Sequence, residues 1–245
     1  MNKYAFIVLA LVALGCGNRV AAQEPNSPAG SIEVHFKTRD GWTIVGDRYA
    51  HKGSLKGTVV LLHQRGGKAS NWQSLCHALQ QAGFTALAID QRGAGRSIKG
   101  PGPIGAGAPW ATGPDIAASI HYLHRTRVIL IGASYGANNA LIYAGRHARQ
   151  LAGVILLSPG ANYNGLDAIA AAPLCRVPVL MYTSKDDPIA NTGPSRINRL
   201  LPGKAHWVDS VVGTRHGTAL LPDLDAPIVK DCISLMVGRM PVSGS

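Results

Sequence analysis

The hydrophobic positions of this chain fall into two kinds of run. In residues 32–36 and 43–49 apolar and polar residues alternate, as in strands with one buried face. Asp40-Gly41 between them supplies a turn, so a β-hairpin is predicted. In residues 58–63, 85–90, 128–131, 154–157 and 177–183 the apolar character is nearly continuous, as in strands covered on both faces. Residues 206–212 are predicted as a further strand. Helical segments lie between these runs. One starts in a capping box at Ser70-Asn71-Trp72-Gln73 and ends near Ala82, before Gly83. The next is capped at Thr112-Gly113-Pro114-Asp115 and runs to about His124, and another ends near His147. Helices over 195–201 and 226–237 complete the order.

Strand and helix alternate at short intervals behind one antiparallel hairpin. That order predicts a single three-layer α/β domain over residues 31–245 with a mainly parallel sheet. In such sheets the reactive groups gather beyond the carboxyl ends of the strands.

The first 22 residues read differently. Lys3 precedes an apolar run over residues 5–14, and Val20-Ala21-Ala22 before Gln23 suits a signal-peptidase cut. The run is too short for a stable membrane span. Ala13-Leu14-Gly15-Cys16 offers a competing lipoprotein signal over residues 1–15, with lipidation at Cys16. Either route predicts an exported protein, periplasmic or secreted, with a membrane contact only through such a lipid. The Pro/Ser/Asn-rich residues 23–30 predict a tether.

The net charge is +11, yet the basic residues are scattered and no run exceeds two, which speaks against a nucleic-acid partner. Export would place Cys76, Cys175 and Cys232 in an oxidising compartment. A Cys175–Cys232 bridge with one free thiol is one expectation, and three buried thiols the other.

Chemistry enters at Gly132-Ala133-Ser134-Tyr135-Gly136, where a buried strand turns sharply into an alanine-rich helix. A serine at that apex projects its Oγ above the sheet, and the Tyr135 N–H at the helix start faces any oxyanion formed there. The pentapeptide alone is weak in a chain with 29 glycines. Two further candidates follow strand ends: Asp187 in Thr183-Ser184-Lys185-Asp186-Asp187-Pro188, and His216 in Thr214-Arg215-His216-Gly217. A serine needs a base to take its proton, and the base needs an acid on its other ring nitrogen. Serine, acid and histidine in this order supply both.

His63 with Gly66-Gly67, Asp90-x-Arg92-Gly93-x-Gly95-x-Ser97, Gly132-x-Ser134-x-Gly136, Asp187 and His216-Gly217 together resemble the α/β-hydrolase fold in order and spacing. The resemblance runs from about Ile32 to the C-terminus and is nearest to small bacterial serine esterases and dienelactone hydrolases. It implies a catalytic triad of Ser134, Asp187 and His216. It also implies a second oxyanion donor after His63, the Arg65 N–H by position, with Gln64 the alternative. Glycine is common in the family at position 64, so with a glutamine there the loop is expected to carry a side chain into the pocket. Asp186 rivals Asp187, and the usual spacing from strand end to acid favours Asp187. The serine nucleophile argues against dienelactone chemistry itself, which uses cysteine in that family. Larger relatives insert a lid between the strands ending at Leu157 and starting at Val177; only residues 158–176 are available here, so no lid domain is expected.

Other residues have simpler readings. His63 buttresses the oxyanion loop, Asp90 and Arg92 pin a turn, and Trp72 and Trp110 are offered as core or cleft aromatics. His121 and His124 share a solvated helix face without a third metal ligand nearby. Gly93-Ala94-Gly95 lacks the third glycine of a dinucleotide site. The sequence therefore predicts an exported, lidless serine hydrolase of small-molecule or polymer-borne esters, with neither metal nor cofactor. A peptidase or amidase on the same triad, or a silent binding domain of the same fold, are the alternatives.

Overall fold

The computed structural model describes residues 28–239 apart from 108, 204 and 205. The signal-peptide and lipidation readings, Cys16 included, lie outside the described residues. The chain forms β1 (Ile32–Lys37), β2 (Thr43–Tyr49), β3 (Gly57–Leu62), α1 (Gln73–Gln81), β4 (Phe84–Asp90), α2 (Gly113–Tyr122), β5 (Val128–Ala133) and α3 (Tyr135–His147). It continues through β6 (Leu151–Leu157), a small hairpin of β7 (Asn162–Tyr163) and β8 (Leu166–Asp167), and α4 (Ala168–Ala171). β9 (Val179–Ser184), α5 (Gly193–Leu200), β10 (His206–Val211) and α6 (Leu221–Met236) complete it.

The main sheet has eight strands in the order β1-β2-β4-β3-β5-β6-β9-β10. Only the β1–β2 and β2–β4 pairings are antiparallel, and the β1–β2 register places Val34 opposite Gly46. Side chains alternate across each strand. Val60 and Leu62 of β3 therefore enter a core under α2, α3 and α5, whereas Val59 and Leu61 enter a second core under α1 and α6. Both faces being covered is the reason these strands read as unbroken apolar runs.

The two cores also decide the cysteines. Cys175 packs in the first and Cys232 in the second, with the sheet between them, so the expected Cys175–Cys232 bridge does not form. Cys76, Cys175 and Cys232 are buried free thiols. Several boundaries differ as well, the starts of α1 and α6 most of all. The segment over Ala69–Trp72 is a 3-10 turn in which the Asn71 side chain accepts from the Lys68 N–H at 2.8 Å, so Ser70 is not the cap of α1. α6 begins at Leu221 rather than Ala226 and carries Pro227 in its interior. A proline there removes one intrahelical bond, and burial of Leu224, Ile228 and Cys232 outweighs it.

The loop after β4 is held by ion pairs that each have at least one buried or half-buried partner. Asp90 accepts from the Ala69 N–H at 2.6 Å and from the Arg96 side chain at 2.7 Å, and Arg96 also reaches Asp47 at 2.9 Å and Glu33 at 2.7 Å. Arg92, 5% exposed, pairs with Asp115 and Asp40. Removing either partner of the Arg92–Asp115 pair strands a buried charge, which is far costlier than the pair is stabilising. This fixes the loop that walls the site described next.

Candidate active site

Ser134 sits where β5 turns into α3, at φ 51° and ψ −117°, a left-handed conformation that a residue with a Cβ adopts only at a cost of about 1–3 kcal/mol. Two glycines make the turn possible. A Cβ on Gly132 would lie 2.3 Å from the Gly136 carbonyl oxygen, and one on Gly136 would lie 2.3 Å from the Leu62 carbonyl oxygen. The backbone is tied to the sheet by the Ser134 N–H, which donates to Leu157 at 2.8 Å. Ser134 itself is 8% exposed, at the carboxyl edge of the strands. The first N–H of α3, on Tyr135, has no intrahelical acceptor because it opens the helix.

The loop after β3 is shaped by His63, which is buried. The Gln91 N–H donates to its Nε2 at 3.0 Å, so the ring proton sits on Nδ1 and is donated to the Gln64 carbonyl at 2.8 Å. Burial holds the His63 pKa below its ordinary value, with the charge of Arg65 acting the same way, so the ring stays neutral. The Gly67 N–H binds the same carbonyl at 2.9 Å. In a planar trans peptide this leaves the Arg65 N–H on the side away from the imidazole. The Gln64 side chain does not enter the pocket. Its Oε1 accepts from the Thr218 N–H at 2.8 Å and the Thr218 hydroxyl at 2.9 Å, clamping the segment just after His216. Gly217 is at φ 57°, and a Cβ there would lie 2.3 Å from that Gln64 oxygen.

Asp187 is 4% exposed, in the loop after β9, whereas Asp186 is exposed. The structure brings His216 to Asp187, with Nδ1 2.8 Å from Oδ2 and 3.0 Å from Oδ1. Oδ1 also accepts the N–H groups of Ile189 at 2.9 Å and Ala190 at 3.0 Å. Burial works to raise the Asp187 pKa, but the Ala190 N–H, the His216 ring and the Ser158 hydroxyl outweigh it, and the carboxyl titrates below its ordinary value. A carboxylate on Nδ1 fixes the ring tautomer and leaves Nε2 as the proton acceptor.

Two neighbours were not foreseen from the sequence. Ser158, fully buried and at φ 50°, contacts Asp187 and accepts from the Gly217 N–H at 3.1 Å, joining the acid to the histidine segment. Tyr163, carried on the β7–β8 hairpin, donates to the Ser158 carbonyl at 3.3 Å and lies within hydrogen-bonding range of the Ser134 hydroxyl. Burial pushes its phenol up to about 12, so it stays protonated at neutral pH. The Ser134 hydroxyl thus lies near this phenol, and none of the described hydrogen bonds joins it to the His216 ring. Catalytic contacts often tighten only once substrate is bound. Only their position in sequence could have pointed to Ser158 and Tyr163, since both follow β6 at the sheet edge.

Next to the serine turn, reached through Tyr135 and His63, a cavity of about 500 Å³ is lined by these two and by Arg65, Arg92, Ile98 and Ile104, with glycines between them; Ser134, Asp187 and His216 are not among its lining residues. A larger groove of about 930 Å³ lies on the outer side of α2 and α3, and none of Ser134, Asp187 and His216 lines it. Trp72 is wholly in the core, whereas Trp110 stands at the cavity with the Arg65 guanidinium 4.3 Å above its ring.

The family model for serine aminopeptidases of the S33 group matches residues 53–171, which hold the His63 loop and the Ser134 turn and end before Asp187 and His216. With the parallel sheet, the strained serine turn and the similarity below, the chain belongs to the α/β-hydrolase superfamily. A rat protein named "Putative protein-lysine deacylase ABHD14B" is 31% identical over 153 residues, spanning 60% of this chain and 70% of that protein. The esterase RhEst1 from Rhodococcus sp. ECU1013 superposes with a TM-score of 0.66 at 19% identity, over 83% of this chain and 99% of that one. The proline iminopeptidase of Mycobacterium smegmatis gives 0.71 at 14% identity, over 84% and 99%. At such identities the two structures speak for the fold alone. These relatives support the superfamily and not specifically its dienelactone-hydrolase branch.

Proposed function

We propose that this protein is a serine hydrolase that cleaves carboxylic esters through an acyl-enzyme. Ser134 attacks the carbonyl, His216 takes its proton at Nε2 and returns it to the leaving alcohol, and Asp187 holds the imidazole and its positive charge. The N–H groups of Tyr135 and Arg65 receive the oxyanion, with Gln64 the alternative second donor. The observation that carries this reading is the Asp187–His216 pair at 2.8 Å on the same sheet edge as a serine strained to φ 51°. The N-terminal pattern supports export, with maturation before Gln23 or lipidation at Cys16.

Amide hydrolysis is the second reading, favoured by the names of the S33 family and of the rat relative. An aminopeptidase must bind a free ammonium, however, and no carboxylate is among the described residues lining the cavity beside Ser134. The ester reading is tested by kinetics of the purified protein on p-nitrophenyl butyrate, alanine p-nitroanilide and an acetyl-lysine peptide. The expected result is a kcat/KM for the ester at least about a hundredfold above either amide, with activated ester chemistry accounting for part of it. Faster turnover of an amide would reverse the assignment.

A further inference from the structure

We infer that the cavity beside Ser134 selects esters that carry a carboxylate, and that the side chain of Arg65 is the group that recognises it. The inference rests on the ester reading above and adds the substrate class. Three observations lead to it.

The guanidinium is fixed in place. It lies 4.3 Å over the Trp110 ring and 5.6 Å from the Tyr135 ring, and its Nη2 donates to the Gly105 carbonyl at 3.2 Å. Trp110 and Tyr135 meet edge to face at 5.5 Å, so the platform beneath it is itself braced. A guanidinium held flat on aromatic rings loses little further freedom when it binds a carboxylate.

The cavity is cationic. Its charged lining residues are Arg65 and Arg92, and no Asp or Glu is among the described residues that line it. Asp40 and Asp115 offset the charge of Arg92, and Asp90 is held by Arg96, so the charge of the lining rests on Arg65. His63 is neutral, its pKa held below the ordinary value mainly by burial.

The position is right for substrate. The backbone N–H proposed to receive the oxyanion belongs to the same residue, so the cation is one side chain's length from the scissile carbonyl. Ile98 and Ile104 give the same cavity apolar lining suited to a short methylene spacer. Monoesters of short dicarboxylic acids, or acyl esters of hydroxy acids, have this combination of charge and spacer.

The test compares matched pairs that differ in one charge: monomethyl against dimethyl glutarate, and acetoxyacetate against its methyl ester, with product acid quantified by chromatography. For the unaltered protein the anionic member of at least one pair is expected to have a kcat/KM about tenfold higher, an advantage that shrinks as salt is raised. In Arg65→Met that ratio is expected to fall to about one, and Arg65→Lys to keep part of it. Neutral members turned over as well as the anionic ones in both pairs would overturn the inference while leaving the ester reading intact. An anionic preference unchanged in Arg65→Met would equally overturn it. Failure to turn over any ester would remove the underlying reading and this inference with it. The comparison on the unaltered protein stands even if a variant folds poorly.

Discussion

Ser134→Ala is expected to lower turnover of p-nitrophenyl butyrate by about 10⁴-fold or more, to the level of residual binding and oxyanion stabilisation. The reasoning is local. Among the described residues Ser134 is the hydroxyl that stands at the apex of a strand-to-helix turn on the same sheet edge as His216. Stability should change little, because alanine meets the same backbone strain at φ 51° and none of the described hydrogen bonds depends on the Ser134 hydroxyl. Steady-state kinetics and thermal unfolding of the same preparation check both halves. Retained ester turnover in a folded Ser134→Ala protein would exclude this serine as the nucleophile.

The second large effect is that of Asp187→Asn, for which a loss of about 10⁴-fold in kcat is expected. The amide preserves shape but offers an N–H where Oδ2 now accepts from Nδ1, which turns the imidazole to the wrong tautomer. The same substitution has a signature in stability. The folded state holds the Asp187 pKa below its ordinary value of 3.8, so the wild-type carboxylate stabilises the fold above that value. As pH falls through the lower folded-state pKa, that contribution disappears. The stability deficit of Asp187→Asn should therefore be present at pH 7 and shrink on acidification below about pH 4, read by denaturant titration across pH. A deficit that grows on acidification would mean that Asp187 is not held ionised by its neighbours.

Much of this architecture is written in local pattern. β3, β4, β5 and β6 are covered on both faces, so their sequences are apolar throughout and their order with the helices gives the parallel sheet. The Ser134 turn is equally local, because strand, glycines and helix start are contiguous. Asp187 and His216 were readable only as residues after strand ends, and it is the fold that joins them at 2.8 Å.

What escaped the sequence depends on contacts between distant segments. Ser158 becomes a partner of Asp187 and Gly217 only when β6 and β9 lie side by side. Tyr163 needs the two-residue strands of the β7–β8 hairpin, too short to leave a periodic pattern. Gln64 looked like an intruder in the oxyanion loop, and Thr218, 154 residues later, turns it into a clamp. Cys175 and Cys232 stay unpaired because the approach to β9 and the last helix bury them in different cores, on opposite faces of the sheet.

One hydroxyl, made reactive by groups that arrive from three separate strand ends, is the claim on which the rest depends. Incubation of the purified protein with a fluorophosphonate, followed by intact mass and peptide mapping, addresses it most directly. The expected outcome is a single adduct on the peptide containing Ser134, lost in His216→Ala. No adduct, or one carried by a different residue, would contradict the account.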